Sequence, residues 1–66
     1  MSEDSDLAEL STLRAQLDDL VERVTGVASR YEDTADSAVA DDLFATERSL
    51  LAARRTLERA SSRLEG

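Results

Sequence analysis

Sixty-six residues with 10 Leu, 10 Ala, two Gly and no Pro suffice for one small domain and favour helix. His, Cys, Lys, Trp and Asn are all absent, which removes the commonest general base, the thiol nucleophile, the Schiff-base amine and the usual nitrogen and sulfur metal ligands. Eight Arg against 15 acids leave a net charge of −7, which disfavours polyanion binding overall.

The chain opens on Met1-Ser2-Glu3-Asp4, acidic and followed by no apolar region, which is unlike a secretory signal. Apolar residues then fall at Leu10, Leu13, Leu17, Leu20, Val24, Val27 and Tyr31, in strict alternation of three and four. This spacing predicts a helix over about residues 5–32, with Leu7, Val21 and Ala28 widening the stripe on one flank. Ser2 or Ser5 can cap its start, and Tyr31 is expected to pack in the core with its hydroxyl at the edge. Gly26 lies off the stripe and should weaken the helix by about 1 kcal/mol without ending it.

The stripe does not continue past Asp33 to Ser37. Its extension would fall on Thr34, Ala38, Asp41 and Ala45, so the register resets there, and a turn is expected at about 33–36. Thr34, Asp36 and Ser37 are the N-cap candidates of a second helix over about 37–64. In that helix Leu43, Leu50, Leu57 and Leu64 form one heptad column, and Val39, Thr46, Ala53 and Ala60 a smaller one beside it. Residues 1–42 carry 3 Arg against 12 acids, net −9, and residues 43–66 carry 5 Arg against 3 acids, net +2. An antiparallel arrangement sets the acidic start of the first helix beside the Arg-rich end of the second. The expected fold is therefore all-α: one antiparallel two-helix hairpin occupying residues 1–66.

Helix two has more apolar surface than a single neighbour can hide. Phe44 and Leu51 lie about 100° from the leucine column and call for a second neighbour. A chain this short, without disulfide or metal, gains little from its own core, so two hairpins are expected to pair as a homodimeric four-helix bundle. The expected interface comprises Phe44, Leu51, Leu43, Leu50 and Leu57, with Glu47 and Arg54 in a polar column between them. Two readings of that column stay open: Glu47 and Arg54 pair across a two-fold axis and set the register, or Arg54 lays its stem over the rim and keeps its head in water.

Chemistry is sparse elsewhere. Arg48, Arg55, Arg59 and Arg63 form an outward basic stripe that could grip phosphate or an acidic partner, or could simply be a solvated face near a helix C-terminus; no aromatic residues interleave it. Asp18-Asp19-Glu22, Asp33-Asp36 and Asp41-Asp42 group carboxylates, but no glycine-centred calcium loop or His-bearing di-iron motif accompanies them, so they read as solvated acids. The run Leu10, Leu13-Arg14, Leu17-Asp18, Leu20 resembles the opening helix of the helical chorismate mutases, whose Arg grips a substrate carboxylate; the lysine of that family is missing. The stretch Leu57 to Leu64 resembles the end of the exonuclease VII small subunit, a short acidic hairpin, without that family's Gly-containing turn.

The function expected from these features is a non-catalytic protein–protein interaction or assembly module, cytoplasmic, with no cofactor, no metal and no membrane span, and with a second copy of itself as first partner. A small regulatory subunit docking on a larger enzyme or DNA-bound factor is the alternative. Nucleic-acid binding through the Arg stripe comes third.

Overall fold

A computed structural model describes residues Ser2–Gly66, Ser2 by its backbone only. Two α-helices account for almost all of it: α1, Ser2–Tyr31, and α2, Ser37–Glu65. They pack against each other as a hairpin, whose Cα envelope measures 53 × 15 × 10 Å. The helix-period stripes thus become helices with ends close to those expected. Ser5 lies inside α1 and so does not cap it; the side chain of the other cap candidate, Ser2, lies outside the described residues.

The turn works without glycine or proline. Asp33 takes the left-handed conformation, with φ 58°, which Asp tolerates better than most residues. Thr34 then fastens the corner: its Oγ1 donates to the Tyr31 carbonyl at 2.6 Å and accepts from the Asp36 amide at 3.1 Å. Asp36 occupies the N-cap of α2, with no hydrogen bond from its own side chain, and the Val39 amide donates to its carbonyl at 2.9 Å. At the far end, the Gly66 amide closes on the Ser62 carbonyl at 3.2 Å.

The fully closed part of the hairpin is small. Among the described residues Ala28 and Ala40, 0% and 3% exposed, are the buried apolar residues, and no large side chain is fully buried. Both alanines lie near the turn, where short side chains let the backbones converge. Away from it, Leu7, Leu10, Leu17, Val21 and Val24 of α1 and Leu43, Phe44, Leu50, Leu51, Leu57 and Leu64 of α2 are half-buried. No helix among the described residues is long and apolar enough to cross a membrane.

Candidate functional site: a polar seam beside an open apolar face

Two cross-helix contacts fix how the helices meet. Arg54 Nη1 donates to Asp18 Oδ1 at 2.7 Å, and the Thr25 hydroxyl is hydrogen-bonded to Glu47 Oε2. Thr25 and Asp18 are seven residues apart on α1, and Glu47 and Arg54 seven apart on α2. A step of one heptad down one helix therefore matches a step of one heptad up the other. Ser11 and Ser61 continue the series, lining one shallow depression with Leu7, Arg14, Glu58 and Glu65 at the open end.

The polar column Glu47–Arg54–Ser61 thus faces α1 of the same chain. Within the hairpin Glu47 and Arg54 do not contact each other: Thr25 and Asp18 of α1 supply their partners, so the Arg54 head is engaged across the helices and does not simply rest in water over a rim. The Arg54 guanidinium is held above its ordinary pKa, first by the hydrogen bond to Asp18, next by that carboxylate's charge; desolvation opposes this and Glu58 adds to it. Its Nε lies 3.4 Å from Glu58 Oε1, but the two are not aligned as a hydrogen bond, and the Nε–H stays buried without an acceptor. Thr25 has one proton, and both Glu47 and the Val21 carbonyl, at 2.8 Å, lie within reach. The charged acceptor is the stronger of the two.

Because this column points at α1, the columns flanking it fall on opposite faces of the hairpin. On one face Phe44 and Leu51 are half-buried at the seam. On the other, Leu43, Leu57 and Ala53 of α2 border a groove with Leu13, Leu17, Leu20, Val24 and Val27 of α1. The large apolar residues left most open are Leu13, Leu20, Tyr31 and Val39, at 37–41% exposure. Tyr31, expected in the core, is among them. The open apolar surface therefore does not centre on Phe44 and Leu51, as the sequence suggested, but on the α1 stripe together with the leucine column of α2. The physical reason is the position of the contact. The helices meet through the flank Val21–Ala28 and the polar column Asp18–Thr25, so the Leu13–Leu20 side of the stripe is turned outward, with Val27 of the same column half-buried.

Other candidate chemistry stays scattered. Arg48, Arg55, Arg59 and Arg63 are exposed, and among the described residues none of them joins an ion pair; Arg59 reaches only the Thr56 hydroxyl, at 3.4 Å. No group of three or more acidic side chains that could hold a metal ion occurs among the described residues. The hydroxyls of Thr12, Ser29, Thr46, Thr56 and Ser61 each donate to a carbonyl one turn back in their own helix, which leaves them engaged with the backbone and paired with no base. No family model, curated protein or solved structure matches the chain.

Proposed function

We propose that this chain is a non-catalytic assembly module, and that two copies associate through the open apolar face into a four-helix bundle. The observation that carries the proposal is the unfinished core: among the described residues no large side chain is fully buried, while Leu13, Leu20, Tyr31 and Val39 stand open along one face. Area supports it. A globular monomer of 7.2 kDa exposes about 4,100 Å² by the usual mass scaling, and this hairpin exposes 4898 Å². The broad face of the hairpin, 53 by 15 Å, spans about 800 Å², the area each partner contributes to an ordinary stable interface. The test is a charge placed on each face in turn. Leu20→Glu should convert the dimer to a monomer of reduced helicity in sedimentation and circular dichroism. Arg55→Glu, on an exposed residue outside the groove, should leave both unchanged. Equal behaviour of the two variants would refute the proposal.

A further inference from the structure

The open face also carries information on how the second copy lies on it, and this inference rests on the self-association just proposed. Two hairpins stacked face to face as an antiparallel four-helix bundle have two symmetric options. A two-fold axis across the hairpin sets α1 on the partner's α1 and α2 on the partner's α2. A two-fold axis along the hairpin sets α1 on the partner's α2.

The outer columns of the open face differ in size. On α1 the column is Leu13, Leu20 and Val27; on α2 it is Thr46, Ala53 and Ala60. The register set by Asp18–Arg54 and Thr25–Glu47 makes these columns level to within about one residue: Leu13 with Ala60, Leu20 with Ala53, Val27 with Thr46. An axis along the hairpin moves nothing along its length, so groups level within one copy are level between copies. We propose that the copies pair about this lengthwise axis, each α1 leucine seated over a small residue of the partner's α2. Large side chains over small ones give an even helix spacing. The crosswise axis would stack Leu on Leu along one helix pair and Ala on Ala along the other, forcing unequal spacings within one layer. Thr46 does not disturb the small column, because its hydroxyl is engaged with the Asp42 carbonyl at 2.9 Å and presents its methyl. The next columns outward agree in charge: Glu9 is level with Arg63, and Arg30 with Asp42.

The chain has no cysteine, so single introduced thiols report the arrangement directly. Full-length Leu20→Cys and Ala53→Cys chains are mixed under reducing conditions, exchanged and then oxidised; a second mixture combines Leu13→Cys with Leu20→Cys. The lengthwise arrangement predicts a mixed disulfide in the first mixture, at least several-fold above any in the second. A mixed disulfide confined to the second mixture, or a dimer in which neither mixture cross-links, overturns the arrangement and leaves self-association standing. Sedimentation of the reduced samples separates the remaining case, since monomers throughout would overturn the arrangement and the assembly proposal together.

Discussion

Four side chains decide how the helices align. Asp18, Thr25, Glu47 and Arg54 are half-buried polar groups in a seam that apolar residues could have filled, and ion pairs this open to solvent seldom add much stability. Their value lies in excluding other registers. A slip of one heptad in either direction sets Glu47 level with Asp18 or with Glu32, acid against acid, and leaves Arg54 opposite a hydroxyl. In a double-mutant cycle, Asp18→Ala and Arg54→Ala should therefore be non-additive, whereas Glu47→Ala and Arg54→Ala should be close to additive. The reverse pattern in chemical denaturation would remove the intramolecular pairing from the account. Thr25→Val keeps the shape and deletes the donor to Glu47. A cost of about 1 kcal/mol is expected, read as a fall of several degrees in the thermal midpoint.

The two helices and the place where the chain turns are legible in the sequence because each depends on local spacing. Leu10 to Tyr31 alternate by threes and fours, and the failure of that register at Thr34 marks the corner to within a residue or two. The face by which the helices meet is not legible in the same way. A stripe as wide as that of α1 can be rotated by a quarter turn and still bury apolar surface, so hydrophobicity alone cannot choose between its centre and its Val21–Ala28 flank. The signal that does choose lies in pairs: Asp18 and Thr25 with Arg54 and Glu47 at matching heptad steps. The turn hides its device too, since left-handed Asp33 replaces the glycine that usually marks such a corner. Asp33→Val should cost about 1–2 kcal/mol, and Asp33→Gly should be close to neutral. Gly26 is the opposite case. It is exposed in the interior of α1, and a Cβ there would meet nothing within 4 Å. Gly26→Ala should then raise stability by about 1 kcal/mol without altering assembly, a result checked by thermal melts and sedimentation of the same sample.

At the scale of the molecule, the hairpin is one layer of two packed helices, and a layered fold needs a second layer to enclose its apolar face. The seam side is finished with polar partners, while the groove side is lined mostly by leucine, valine and alanine, with Gln16 and Arg23 at its edge, and is not closed over by the described residues. Pairing through that groove would make stability depend on concentration, since folding and association would then be one event. Sedimentation equilibrium combined with circular dichroism over a hundredfold dilution of the full-length chain measures this most directly. Pairing through the groove predicts a species of twice 7.2 kDa that loses mass and helicity together on dilution, with a thermal midpoint that falls in step. A 7.2 kDa species of full helicity, melting cooperatively at a midpoint independent of concentration, would contradict it.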